Sequence, residues 1–267
     1  MKIADLDRRE NELIEDFKNH FFFQNIQNTE IISSSLFLDM LCQRRFISLA
    51  FTPMYDMAID YLMDDSAKRI ARIILREEYP DNRGRTGTTP SHREDLVSDI
   101  ITLSELAGLP RSRHTILTIE PSVETKVTLE ETLSLFFKSY PDEDEDLFQV
   151  RVLTILRFWG EILISTEYGE LWKRMSALGL SEDGAKQSIF YHTHFRHDAK
   201  RYPLTKLPPT ATTHADRLAR KLSKYFGDEK KPRPKAVEHC YLVSNDIVKI
   251  KLNFYNQFTD KSAIRNS

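Results

Sequence analysis

Along most of the chain, apolar residues recur at three- and four-residue intervals, the period of an amphipathic helix with one buried stripe. This pattern predicts helices over about 4–25, 30–49, 54–63, 66–79, 91–108, 127–139, 145–165, 168–178, 182–198, 213–226 and 235–258. Strand signals are weak: there are 8 glycines, and Asp183-Gly184 lacks the flanking alternation of a hairpin. The expected fold class is therefore all-α. Two helix starts have a mechanism, since Thr89 with Pro90 suits a cap and first turn, and Ser181 with Glu182 and Asp183 suits a positive helix end. Pro110, Pro121 and Pro141 mark breaks.

Loops are expected at 80–89, around 109–126, and from about 200 to 213, where Tyr202-Pro203 and Pro208-Pro209 interrupt an otherwise continuous helical pattern as a loop insertion. No internal repeat is evident, and residues 1–267 read as one domain with enough apolar residues (40%) for a sizeable core. A net charge of −2 supplies no basic field for nucleic acid or an anionic membrane. The acidic run Asp142–Asp146 reads as a solvated helix start, and Lys230–Lys235 as a solvated loop. Cys42 and Cys240 lie in apolar helical patterns without a CxxC, which suits reduced thiols. With no signal-peptide pattern and no uncharged stretch of about 18 apolar residues, a cytoplasmic location is expected.

Three places carry candidate chemistry. In LFQVRVLTILRFWGEILIS, apolar on most faces, Glu161 is the lone carboxylate between Asp146 and Glu167. A buried acid requires a cation, a proton or a metal. Arg157, one turn earlier, is the competing partner through an i, i+4 ion pair. In FYHTHFRHD, His194 and Asp198 lie four apart, so on a helix their side chains start about 6 Å apart on one face. Imidazole with carboxylate suits iron or manganese, although a histidine-rich turn also serves as a plain surface patch. The third place is LREEY, where Glu78 lies beside the face of Ile70 and Ile74, followed after a loop by His92 at the next helix start.

In combination these segments resemble the heme-oxygenase-like superfamily that includes the TenA and PqqC proteins, CADD and the heme-oxygenase-like di-iron oxidases. The similarity lies in Asn19-His20-Phe21-Phe22, in ARIILREEYPD and SHREDLVSDIITLSELAGL around their loop, in FWGEILISTEYGELWKRMSALGL and in FYHTHFRHD. The resemblance implies a helical bundle and, residue by residue, Glu78, His92, Glu161, His194 and Asp198 as metal ligands. The di-iron members place a further histidine three residues after that aspartate, where this chain has Arg201. Either the ligand resumes after the insertion as His214 in HADRLARKL, or it is lost. The long interval from Glu78 to His92 also leaves Glu77 as an alternative to Glu78.

The function that the resemblance implies is a non-heme di-iron oxidase or oxygenase of a small metabolite such as an amine, amino acid or fatty acid. It would hold Fe(II)/Fe(III), use O2 as co-substrate, and call on an external reductant. Glu78, Glu161 and, as a hydrogen-bond donor one turn before His194, Tyr191 would serve the reaction. No nucleic-acid or membrane partner is expected, and a homodimer is possible. A metal-free TenA- or PqqC-like enzyme using Cys42, and a non-catalytic binding protein contacting partners through 200–213 and Lys230–Lys235, are the competing readings. His20, His114, His239, Trp159 and Trp172 read as packing, helix-end or loop residues.

Overall fold

The computed structural model describes residues 1–79, 81–84, 87–89, 91–197, 201–228 and 230–259, so Pro80, Pro90 and Asp198 lie outside the described residues. In chain order the helices are α1 (Ile3–Lys18), α2 (Phe21–Gln24), α3 (Ser34–Leu49), α4 (Phe51–Tyr61), α5 (Asp65–Glu77), α6 (His92–Leu106), α7 (Arg113–Thr118) and α8 (Val123–Ser134). There follow α9 (Glu145–Thr154), a π-helical stretch Ile155–Ile162, α10 (Leu163–Ala177), α11 (Phe190–His197), α12 (His214–Ser223) and α13 (Pro234–Asn256). A small antiparallel pair, β1 (Asp81–Gly84) with β2 (Gly87–Thr89), joins α5 to α6. None of the described helices is long and apolar enough to cross a membrane.

Side-chain chemistry explains most boundaries. Asp64, Ser122, Asp144 and Thr213 each accept a backbone N–H at a helix start, which satisfies a donor the helix leaves orphaned. Two helices end in glycine at positive φ, Gly108 (69°) and Gly179 (96°). In each case the following leucine N–H bonds back five residues, Leu109 to Ser104 and Leu180 to Met175, a C-cap that only glycine adopts without strain.

The α9–π–α10 run is the axis of the molecule. It packs against α1, α4, α11, α12 and α13 and is buried on nearly all faces, with Phe158 and Trp159 in the core. The sequence pattern predicts a break near 166–167, but the helix continues through it, and the charge it carries there is neutralised internally. Glu167, wholly buried, accepts from Arg44 (2.6 and 2.7 Å), Lys251 (2.7 Å) and the Tyr255 hydroxyl (2.5 Å).

Other boundaries differ from expectation for local reasons. The first predicted helix splits, because His20 caps α2 by accepting the Phe22 N–H. Ser91, not Thr89, starts α6, in a reciprocal capping box with Glu94. The segment expected as a loop around 109–126 contains α7, capped by Ser112, and the start of α8. Ser181 caps no helix; it bridges to Gln187 across a short 3-10 turn, Gly184–Lys186. Between α11 and α12, Asp7 on α1 accepts the Leu204 and Thr205 N–H groups at 2.7 and 3.0 Å, which fastens that connection to the first helix.

Both cysteines are buried free thiols. The acidic and basic runs face each other, with Arg233 2.7 Å from Asp146 and Lys235 3.8 Å from Asp142. Arg233 and Lys235 are thus engaged within the fold.

Candidate metal centre

A cavity of about 100 Å³ lies where α5, α6, the π-helical stretch, α11 and α12 converge, and Glu78, His92, Glu161, His194 and His214 all line it. Each arrives by a different route. Glu78 is the C-cap of α5 and His92 the first residue of α6, so the hairpin between them turns the chain back and brings the two side chains together. The His92 Nδ1 and Glu78 Oε1 are 2.9 Å apart. His194 follows on α11, with its ring centroid 4.7 Å from that of His92. One ligand atom from each of Glu78, His92 and His194 lies within 4.8 Å of the others, so these three could hold a metal ion. Ligands about 2.1 Å from one ion at right angles sit about 3 Å apart, which the Glu78–His92 separation already meets.

The orientation of His194 is set by its own helix. Its Nδ1 lies 2.6 Å from the Phe190 carbonyl oxygen, which can only accept, so Nδ1 carries a proton, and in the neutral ring Nε2 is the nitrogen that can ligate a metal. The helix start is in turn held by α6. Asp99 accepts from the Ser188 hydroxyl (2.6 Å) and from the Ile189, Phe190 and Tyr191 N–H groups (3.1 Å each).

Glu161, 6% exposed, sits in the π-helical stretch. Wider π turns often occur at functional sites, where they displace a side chain from the ordinary helical phase. The competing i, i+4 partner is engaged elsewhere: Arg157 forms a two-pronged ion pair with Glu10 on α1, at 2.7 and 2.9 Å. Glu161 instead accepts from the Tyr55 hydroxyl at 2.5 Å and lies 3.7 Å from His214 Nδ1. Tyr55 was not expected from the pattern. Its signal was Gly160, a lone glycine amid bulky residues, where an added Cβ would come 2.6 Å from the Tyr55 hydroxyl oxygen.

The remaining expectations divide. His214, 7% exposed, faces the cavity, whereas Arg201 bonds to Asn11 and lies 3.9 Å from Glu10, away from the cavity lining. Glu78 supplies a carboxylate to the cavity, and the side chain of its alternative, Glu77, lies outside the described set. Asp198 likewise lies outside the described residues.

Tyr191 is fully buried, its hydroxyl has no hydrogen-bond partner among the described residues, and it does not line the cavity. The tyrosine hydroxyl that donates to the cavity acid Glu161 is that of Tyr55 on α4. Tyr168 also lines the cavity, and burial pushes its hydroxyl up to about 12, so it stays protonated. Cys42 lies beside Arg111 (3.4 Å), does not line the cavity, and its thiol is pushed up by burial.

Of the histidines read as structural, His20 bonds Asn256 (2.9 Å) and His239 bonds Glu143 (2.9 Å). His114, expected in a loop, is an exposed residue of α7.

No protein-family model and no curated protein matches this sequence. Solved structures do match in shape. A CADD-like protein of unknown function from Nostoc punctiforme superposes with a TM-score of 0.62 at 15% identity, covering 100% of this chain and 98% of that one. A TenA family transcription regulator from Silicibacter superposes with a TM-score of 0.58 at 13% identity, covering 97% and 96%. The chain thus has, over nearly its whole length, the heme-oxygenase-like helical fold that its motifs implied, the fold of these CADD-like and TenA proteins.

Proposed function

We propose that this protein is a non-heme, di-iron, O2-activating oxidase or oxygenase of a small metabolite. One observation carries the reading: five residues from separate stretches of sequence, Glu78, His92, Glu161, His194 and His214, meet in one cavity. The donor set fits iron, since it combines imidazoles with carboxylates and includes no thiolate. Glu78, His92 and His194 would hold one ion, and Glu161 and His214 would contribute to the second, with Asp198 as the further ligand its motif implies. Iron bound there supplies the electrons that reduce O2, and an external reductant restores them.

The chain's own residues set the conditions for that chemistry. The Tyr55 hydroxyl donates to Glu161 and fixes which carboxylate oxygen faces the cavity. The Phe190 carbonyl holds His194 in one tautomer. Phe51, Ile74, Leu96, Ile164 and Phe190 give the cavity apolar walls that limit water around the reacting groups.

The test is an anaerobic Fe(II) titration of the purified protein followed by exposure to O2. Two irons per chain and a transient visible absorption change on mixing are expected. Failure to bind iron stoichiometrically would overturn the proposal.

A further inference from the structure

The same cavity carries a positive charge that metal binding does not use. Arg93, next to His92 in the first turn of α6, lines the cavity together with Ser48, Phe51, Leu96 and Phe190. One of its terminal N–H groups donates to the Thr52 hydroxyl, a neutral partner. Its Nε is buried and has no hydrogen-bond partner among the described residues. Neither cavity acid neutralises it: Glu78 is engaged with His92, and Glu161 with Tyr55 and His214. Arg93 itself is half-buried. Among the described residues no carboxylate lies within ion-pair distance of it, whereas the buried Arg44 and Arg157 each hold a glutamate in a two-pronged pair.

A buried Nε without an acceptor is costly, and in the wall of a cavity a bound ligand can supply that acceptor. We infer that Arg93 anchors the substrate, and that the substrate is a small carboxylic acid with an apolar or aromatic body. The guanidinium presents parallel N–H groups that match the two coplanar oxygens of a carboxylate. Phe51, Leu96 and Phe190 suit a nonpolar body behind it. A volume of about 100 Å³ has room for about seven to ten water-sized groups, the size of a benzoate rather than a long acyl chain. The inference rests on the proposed function for its choice of cavity, but not for the metal.

Calorimetric titration of the full chain, stripped of metal with a chelator, against benzoate, benzamide and inorganic phosphate tests it. Benzoate should bind at least about tenfold more tightly than benzamide, the usual worth of a charged hydrogen bond. Arg93→Gln should abolish that preference while leaving Fe(II) stoichiometry at the wild-type value. Arg93→Lys, which keeps the charge but not the fork, should retain part of it, and together with the wild-type comparison it decides the matter if Arg93→Gln does not fold. Equal binding of benzoate and benzamide, no binding of benzoate, stronger binding of phosphate, or a preference that survives Arg93→Gln would each overturn the inference. Because the titration is done without metal, its failure is distinct from a failure to bind iron.

Discussion

Asp99, on the helix that carries His92, accepts the backbone N–H of Tyr191, 3.1 Å away at the start of the helix that carries His194. With its bonds to Ser188, Ile189 and Phe190, this one carboxylate caps α11 from outside and ties the two histidine helices together. Asp99→Asn keeps the shape and one acceptor but loses the charge. It should cost about 1–2 kcal/mol in urea denaturation, in the range of a lost cap. It should also weaken Co(II) binding about tenfold by freeing His194. A variant that unfolds early yet binds Co(II) as tightly as the wild type would separate Asp99 from the site.

Tyr55 and Gly160 should behave as a coupled pair. Gly160→Ala would drive a methyl group to 2.6 Å from the Tyr55 hydroxyl oxygen and 3.1 Å from its ring. Overpacking of this kind costs about 1–3 kcal/mol. Tyr55→Phe removes the hydroxyl, relieves part of the clash and deprives Glu161 of its donor. In a double-mutant cycle followed by denaturation, the combined loss should be smaller than the sum of the single losses. Strict additivity would contradict this packing.

Acid stability should depend on Glu167. Burial alone would raise its carboxyl, but Arg44 foremost, then Lys251, overcome that effect and hold it at about 2. Lys251 is itself pushed down by burial to about 8, against the pull of Glu167, so the favourable balance of the cluster rests on Arg44. The folded value lies below that of the unfolded chain. The contribution is therefore complete above the ordinary carboxylate range and is lost as pH falls toward 2. Its size is of the order of 3 kcal/mol, measurable as a drop in urea stability between about pH 5 and pH 2. Glu167→Gln should flatten that limb and destabilise the protein by about 3–5 kcal/mol at pH 7, because Arg44 and Lys251 stay buried without their acid.

Cys42→Ala should leave turnover unchanged. The thiol does not line the cavity and is pushed up by burial, so it is not a nucleophile there. Denaturation should show a loss of about 1 kcal/mol for the missing sulfur. Loss of turnover at full folding and full iron content would restore the metal-free reading that relies on this cysteine.

Sequence alone determined the helical class, because burial of a stripe imposes a period that survives without coordinates. It also marked Glu161 as an acid needing a partner and brought Glu78, His92 and His194 forward through their order and their resemblance to a known motif set. It could not decide between Arg157 and a metal for Glu161. An i, i+4 spacing says which side chains are near, not which of them another helix has already claimed, and only the packing of α1 delivers Glu10 to Arg157. Nor could it show that Tyr55, rather than Tyr191, reaches Glu161, or that His214, rather than Arg201, lines the cavity. Those choices depend on contacts across more than a hundred residues of sequence, or on where a connection pinned to α1 returns the chain. Local periodicity reports which face of a helix is buried; what that face meets is a property of the assembled bundle.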